Sequence, residues 1–319
     1  MKDLLSSGTG QMSSSKTGSV SQVVRDDISV VIPTVGRLIL KKCLQSIAAG
    51  NELPGKVIIV DQSSNMEIRE WLNDLEELGV EPKHIPSTQT GRAAGLNRGL
   101  ECADTEFVAI TDDDCLVAPD WLQNMRTHLK ASPTSVVTGR VEAGGDEGVQ
   151  IVVTSMSPAT FYRPRIKFDT MSGGNLGVSL AVRNHIGPFD EDRVVRCAED
   201  AEWAYRTLRS GVAIQYAPDV VIYHCGWRNS REREYQYRDY ALSHGGFYGK
   251  YLRRGDWFIA LRALVLYLRE LRRFVRGAVR RNDEDRRMAW ACLRWLGPGI
   301  LTGLRSRTVP RNLDAGNEP

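Results

Sequence analysis

The sequence predicts an α/β protein with a mostly parallel central sheet flanked by helices, followed by a C-terminal helical extension. Three observations carry this expectation. Short apolar runs alternate with helical spacings from residue 28 to residue 143. The runs, such as Val57–Val60, are apolar throughout rather than at every second position, which marks strands covered on both faces. From about residue 231 the alternation stops and the chain becomes helical and basic. Strands alternating with helices imply right-handed βαβ units and hence a parallel sheet.

The elements follow in order. Ile28–Ile32 is a β-branched run stopped by Pro33, and Leu40, Leu44 and Ile47 then recur at helical spacing as far as Gly50. Lys56–Val60 is a second strand closing on Asp61. Ile68, Trp71, Leu72 and Leu75 form the next apolar helix face, which Gly79 ends. A weak strand covers Val80–Ile85, Arg92–Cys102 reads as a helix, and Glu106–Thr111 as a strand. Trp121–Leu129 is helical and Ser135–Val141 strand-like. Residues 144–170 are a poorly patterned linker. A second block spans Ser172–Val182, a helix lies around Ala201–Leu208, and a strand ends at Tyr223–His224.

These patterns divide the chain into four parts. Residues 1–26, rich in Ser, Gly and Thr, are a disordered leader without the apolar core of a signal peptide. Residues 27–226 form one α/β domain in two parts, 27–143 and 144–226. Residues 227–311 are a basic amphipathic helical extension, and 312–319 a disordered tail. The formal net charge of +3 conceals an asymmetry: residues 1–225 hold 22 Lys/Arg against 29 Asp/Glu, and residues 226–311 hold 20 against 8. An acidic body with a basic tail suggests that the tail touches something anionic. Six scattered cysteines include no CxxC pair, and Cys43 and Cys102 fall in helices as buried thiols, which fits a reducing cytoplasm. No segment reaches the roughly 20 apolar residues of a membrane span.

In a parallel sheet, ligands bind beyond the carboxyl ends of the strands. That directs attention to Pro33–Arg37, Asp61–Ser64 and Asp112–Asp114. Neither GxGxxG nor GxxxxGK[ST] follows the first strand, which argues against a dinucleotide fold or a P-loop enzyme. The three adjacent carboxylates Asp112, Asp113 and Asp114 repel one another, and a bound divalent cation relieves them. Carboxylate oxygens favour Mg²⁺ or Mn²⁺, and such ions commonly complete their shell with substrate phosphate oxygens. The alternative is a solvated turn capping the helix before Trp121.

Five motifs then stand in order: Val30-Val31-Ile32-Pro33-Thr34; Val60-Asp61-Gln62-Ser63-Ser64; Gly91 to Gly99; Thr111-Asp112-Asp113-Asp114 with Pro119-Asp120-Trp121-Leu122; and Gly173-Gly174-Asn175 with Glu199-Asp200. Together, over residues 28–226, they resemble the inverting family 2 glycosyltransferases. The resemblance implies a GT-A fold, a nucleotide-sugar donor and a divalent metal. It implies that Pro33, Thr34, Arg37 and Asp61 hold the nucleotide base, that Asp112 faces the ribose or sugar, and that Asp114 binds the metal with Asp112. Arg92, Asn97 and Asp113 complete the expected donor side. The basic residue that relatives carry before the next Gly is absent at Leu96, with Arg92 and Arg98 the basic residues nearby.

An inverting transfer needs a general base on the acceptor hydroxyl. By similarity to the family's Glu-Asp motif, Asp200 is that base and Glu199 its substitute; the other reading is two carboxylates favouring a helix N-terminus. His224, just after an apolar strand, either completes the metal site, as in many relatives, or packs at the strand end. Gly173, Gly174 and Asn175 would let backbone approach donor sugar or acceptor, and Trp227 either stacks on a sugar or packs.

In the extension, Leu261, Leu264, Val265, Leu268, Leu271 and Val275 form one stripe with arginines largely off it. The stripe either packs on the body or lies on an anionic membrane through residues 231–311, peripheral to the inner face of the cytoplasmic membrane. No nucleic-acid module accompanies the charge, so nucleic acid is not an expected partner. The acceptor would be a glycan, a lipid-linked saccharide or a small molecule. A sugar nucleotidyltransferase shares metal and nucleotide but needs a Gly-rich basic loop, of which Pro33–Arg37 is a poor version. A non-catalytic membrane-surface protein would leave the Asp and Glu motifs unexplained.

Overall fold

The computed structural model describes residues 22–145, 153–226 and 230–308. The strands are β1 (Val23–Thr34), β2 (Glu52–Asp61), β3 (Glu81–Pro86), β4 (Phe107–Thr111), β5 (Cys115–Val117), β6 (Val136–Ala143), β7 (Ala159–Phe161), β8 (Asn175–Ser179) and β9 (Ile214–His224). The helices are α1 (Ile39–Ala48), α2 (Ile68–Trp71), α3 (Asn73–Glu77), α4 (Arg92–Glu101), α5 (Trp121–Ala131), α6 (Leu180–Ile186), α7 (Glu199–Arg209), α8 (Ser230–Leu252), α9 (Trp257–Arg280) and α10 (Asp283–Arg305).

One sheet runs β3-β2-β1-β4-β8-β6-β9-β5, with β7 added on β9. The nucleotide half, β3-β2-β1-β4, is parallel throughout. Beyond β4 the sheet is mixed: β8 runs antiparallel to both β4 and β6, β9 is parallel to β6, and β5 and β7 are antiparallel to β9. Helices cover both faces. Leu40, Leu44, Trp121 and Met125 pack on one side with Ile28, Val30 and Ile32, while Leu96, Trp203 and Leu208 pack on the other with Val31, Ile58 and Ile110. β4 is buried along its whole length, which explains its unbroken apolar run. β3 is an edge strand, half-buried, and tolerates Pro82 and Pro86 for that reason.

Three expectations change. The first strand begins at Val23, inside the expected leader, because Val23 and Val24 pair with Glu52 and Leu53. The helix expected across 68–75 is two short ones, yet Ile68, Trp71, Leu72 and Leu75 all remain buried. The stretch 153–170 is no free linker: β7 pairs with β9, and the buried Asp169 carboxylate receives Arg262 Nη1 of α9 at 2.7 Å.

That last contact shows how the extension is seated. Tyr251 donates to Glu202 at 2.7 Å, Tyr205 to Asp256 at 2.7 Å, and Lys250 to Asp190 at 2.5 Å. Val195 and Tyr205 of the body share an aromatic core with Phe247, Tyr248, Tyr251 and Ile259. Within the extension, α8 and α10 meet through Gly245, Gly246 and Gly249 on one helix and Gly299 and Gly303 on the other. A β-carbon at Gly303 would sit 2.1 Å from the Gly246 carbonyl, so only glycine permits the approach.

α9 is turned opposite to its hydrophobic pattern. Leu261, Leu264, Leu268, Leu271 and Val275 are 43–55% exposed, whereas Arg262 is 2% and Glu270 3% exposed. The stripe therefore does not pack on the body. The inward face is partly charged, and its charges are paired: Arg262 with Asp169, and Glu270 with Arg269 and Arg273. No helix of the described residues is long and apolar enough to cross a membrane.

Candidate active site

The loops after β1, β2 and β4 open onto one cleft of about 480 Å³, closed on the far side by residues 171–174 and the start of α7. After β4, Asp112–Asp114 turn into β5, whose antiparallel pairing with β9 sets Cys115 opposite His224. That register places the His224 ring beside Asp114, with Nε2 3.7 Å from Oδ1. The gap is long for a hydrogen bond and fits two ligands of one ion at about 2.1 Å each. His224 Nδ1 is buried without a hydrogen-bond partner. Among the described residues, Asp114, Cys115 and His224 form the one group whose donor atoms all lie within 4.8 Å. Burial, with Asp112 and Asp114 adding to it, holds the Cys115 thiol far above its ordinary range in the metal-free protein.

Asp112 stands apart from that group: its Oδ1 accepts Arg92 Nε at 2.7 Å, and it lines the same cleft as Asp114 and His224. Asp113, 3% exposed, has both oxygens engaged: Thr34 Oγ1 donates at 2.7 Å and Arg37 Nη1 at 2.8 Å. It fastens the β1 loop to the β4 loop and is a positioning residue. Burial pushes its carboxyl above the usual range while Arg37 and Thr34 pull it down.

Arg92, at the start of α4, reaches across the cleft. Besides Asp112 it meets Glu199 Oε1 from Nη1 at 3.2 Å. The carboxylates around it hold the guanidinium charged against its burial. Leu96 is fully buried in the core and Arg98 points outward to pair with Glu101, so of the basic residues near Leu96 it is Arg92 that lines the cleft. Glu199 is 4% exposed with Oε2 unpartnered, and burial pushes its carboxyl up to about 7 despite Arg92. Asp200 lies beside it, half-buried, and lines both this cleft and a second cavity. Glycine at 173 and 174 leaves room for the tips of two cleft side chains: a β-carbon at Gly173 would press on Arg92 Nη2 at 2.9 Å, and one at Gly174 on Asp112 Oδ2 at 2.7 Å, so each would have to shift.

Three expected contacts are absent from the cleft wall. Asp61 is 3% exposed; its Oδ1 accepts from Ser63 N and Oγ, and Oδ2 meets His84 Nε2 at 3.0 Å. It shapes the loop, and the next residue, Gln62, lines the cleft instead, clamped to Gly91 by two hydrogen bonds. Asn97 binds Phe189 through both ends of its amide and also donates to Glu191, which ties α4 to the body. Asn175 is fully buried: it accepts Trp121 Nε1 at 2.9 Å and donates to the Arg140 and Val220 carbonyls. Trp227 lies outside the described residues. Pro33, Thr34 and Arg37 do line the cleft, and Cys197, Arg196 and Tyr240, which no motif indicated, join them.

This parallel half-sheet, with acidic residues at the strand ends and a carboxylate pair facing them, is of the GT-A fold class. Residues 29–174 match the family model described as glycosyl transferase family 2. The chain is 25% identical over 232 residues to the pre-mycofactocin glycosyltransferase of Mycobacterium tuberculosis, which covers 70% of this chain and 46% of that protein. It thus spans about half the length of that curated relative. Two solved structures share the fold. The mannosyltransferase PcManGT from Pyrobaculum calidifontis, in complex with GDP-Man and Mn²⁺, has a TM-score of 0.57 at 18% identity, covering 89% of this chain and 88% of that one. TarS of S. aureus has a TM-score of 0.54 at 16% identity, covering 82% and 54%.

Proposed function

We propose that the protein is an inverting glycosyltransferase that moves a sugar from a nucleoside diphosphate donor to a hydroxyl acceptor. The observation that carries the reading is the opposition, within one cleft, of Asp112, Asp114 and His224 to Glu199 and Asp200, with Arg92 spanning the gap. The donor base lies between the β1 and β2 loops, against Pro33, Thr34, Arg37 and Gln62. Asp114 and His224 would hold Mn²⁺ or Mg²⁺, which would supply Lewis-acid stabilisation of the leaving diphosphate. The complexes of PcManGT with GDP-Man and Mn²⁺, and of TarS 1–349 with UDP-GlcNAc, support this donor class.

Asp200 takes the acceptor proton. The freed oxygen attacks the anomeric carbon from the face opposite the diphosphate, and the sugar–phosphate bond breaks with its electron pair leaving on the diphosphate. Glu199 and Arg92 set the charge around that base and orient Asp112. Gly173 and Gly174 keep backbone, and no side chain, between the two sides.

The exposed stripe of α9 together with Trp257, Trp290 and the surrounding arginines supports peripheral binding to an anionic membrane, which would place the enzyme on the cytoplasmic face. A screen of UDP-, dTDP- and GDP-sugars for hydrolysis with Mn²⁺ and Mg²⁺ tests the proposal. The expected result is metal-dependent release of one nucleoside diphosphate, with Asp200→Asn keeping nucleotide binding and losing transfer. An Asp200→Asn variant at full activity would move the base elsewhere.

A further inference from the structure

Beyond Asp200 lies a second cavity of about 490 Å³ that shares Met171, Ser172, Cys197, Asp200 and Tyr240 with the donor cleft. Its lining is rich in tyrosine, with Tyr216, Tyr237, Tyr240 and Tyr248. His244 also lines it. The ring donates from Nδ1 to the Tyr240 carbonyl at 3.0 Å, which leaves Nε2 with its lone pair, and burial holds the imidazole neutral. The outer wall is α9. Arg262, Leu266, Arg269 and Arg273 succeed one another on one face, a run of about 16 Å along the axis. Arg262 is 2% exposed, and its Nε has no hydrogen-bond partner. The cavity leads to a third, of about 640 Å³, lined by Arg269, Arg272, Arg273 and Arg276 with Glu270 and Phe168. Glu270 and Asp285 of α10 offset two of these four charges through Arg269, Arg273 and Arg276. The mouth keeps a net positive charge.

We propose that these two cavities are a single acceptor channel, and that the acceptor is a sugar carrying a phosphate, with its hydroxyl delivered to Asp200 and its phosphate held at the α9 arginines. The inference rests on the transfer reading above and adds the chemical class of the acceptor. Tyrosine faces suit a sugar ring, and guanidinium groups suit phosphate oxygens in a bidentate manner. A charge-neutral glycan would leave the mouth arginines unused and Arg262 Nε unsatisfied. The extension is then the wall that selects the acceptor.

The test uses the full chain with UDP or GDP, whichever binds, and Mn²⁺. Titrations compare N-acetylglucosamine, its 1-phosphate, and the same sugar linked to farnesyl diphosphate, alongside glucose and glucose 6-phosphate. The phosphorylated sugars should bind at least about tenfold more tightly than their neutral counterparts. The Arg269→Ala/Arg273→Ala double variant should erase that preference, the Arg→Lys pair should restore part of it, and nucleotide–Mn²⁺ affinity should stay within about twofold throughout. Tighter binding of the farnesyl compound than of the free 1-phosphate identifies a lipid-borne source; equal binding identifies a soluble one. Equal affinity for neutral and phosphorylated sugars, no binding of any, a preference that survives the double variant, or competition of the sugar phosphates with the nucleotide would each overturn the channel. Failure of the underlying reading looks different: no nucleotide binds and no donor is hydrolysed, whatever the sugar phosphates do.

Discussion

Replacing Arg92 by methionine removes the one side chain that joins the two walls of the cleft while keeping similar bulk. In the native protein Nε lies 2.7 Å from Asp112 Oδ1 and Nη1 lies 3.2 Å from Glu199 Oε1. At an effective dielectric of about 20, opposite charges about 4 Å apart attract by about 4 kcal/mol per pair, from which desolvation is subtracted. Removing one partner of a buried pair costs about 3–5 kcal/mol. The Arg92 and Asp112 side chains are 23% and 26% exposed, so the lower end, about 3 kcal/mol, is the expected loss. The loss should also depend on pH. Burial already raises the Glu199 carboxyl from 4.5 to about 7, and Arg92 is the main influence pulling it down. A raised carboxylate contributes stability at low pH that is lost as pH climbs through the folded value. Without Arg92 that loss begins from a still higher folded value and grows, so the gap between native and variant should widen from pH 5.5 to pH 8.5. Urea denaturation of the metal-free proteins at pH 5.5, 7 and 8.5 measures it. A gap below about 1 kcal/mol at pH 8.5, or one unchanged across the series, would refute the reasoning.

Other outcomes follow from the same geometry. Glu199→Gln should flatten the fall in stability of the metal-free protein between pH 4.5 and 7, which thermal unfolding across that range will show. His224→Ala and Asp114→Asn should each weaken Mn²⁺ binding by at least about tenfold in calorimetric titration, with the fold intact by circular dichroism; unaltered affinity in both would remove them as ligands. Gly303→Val drives a side chain into the Gly246 carbonyl and should cost about 2–4 kcal/mol or detach the extension, whereas Gly297→Ala, in open space, should be near neutral. Leu264→Glu combined with Leu268→Glu should abolish sedimentation with phosphatidylglycerol vesicles and leave the melting temperature within a few degrees, since both side chains are solvent-exposed.

Much of this arrangement was legible in the sequence because it follows from strand ends. An apolar run followed by acidic residues leaves few places for those residues to go, and Asp112–Asp114, Glu199 and Asp200 do meet. His224 was legible for the same reason, although its register with Cys115 was not. Asp61, Asn97 and Asn175 lie off the cleft wall, which the sequence did not show, for a definite cause. A polar group that braces a loop and one that contacts a ligand both require a hydrogen-bonding side chain beside a strand end. Only the partners separate them, and here these are Ser63 and His84, Phe189 and Glu191, and Trp121. The α9 face was hidden by its own chemistry. Apolar residues mark the inward side of a helix only when that side is greasy, and this one mixes Ile259, Ala263 and Leu266 with Arg262, whose partner Asp169 is far away in sequence, and Glu270, whose partners are its neighbours Arg269 and Arg273.

The two faces of α9 also leave a trace in the order of its codons. Helical residues advance by 3.6 per turn, so outward and channel-lining positions interleave: 261 out, 262 in, 264 out, 266 in, 268 out, 269 in, 271 out, 273 in, 275 out. On the proposed membrane and acceptor readings, neighbouring codons answer to different selective pressures, one set to the lipid surface and the other to the acceptor. A saturation library across 261–276 would record this as two superimposed profiles offset by one or two positions. Lineages could then drift in acceptor preference along one register while holding the other constant.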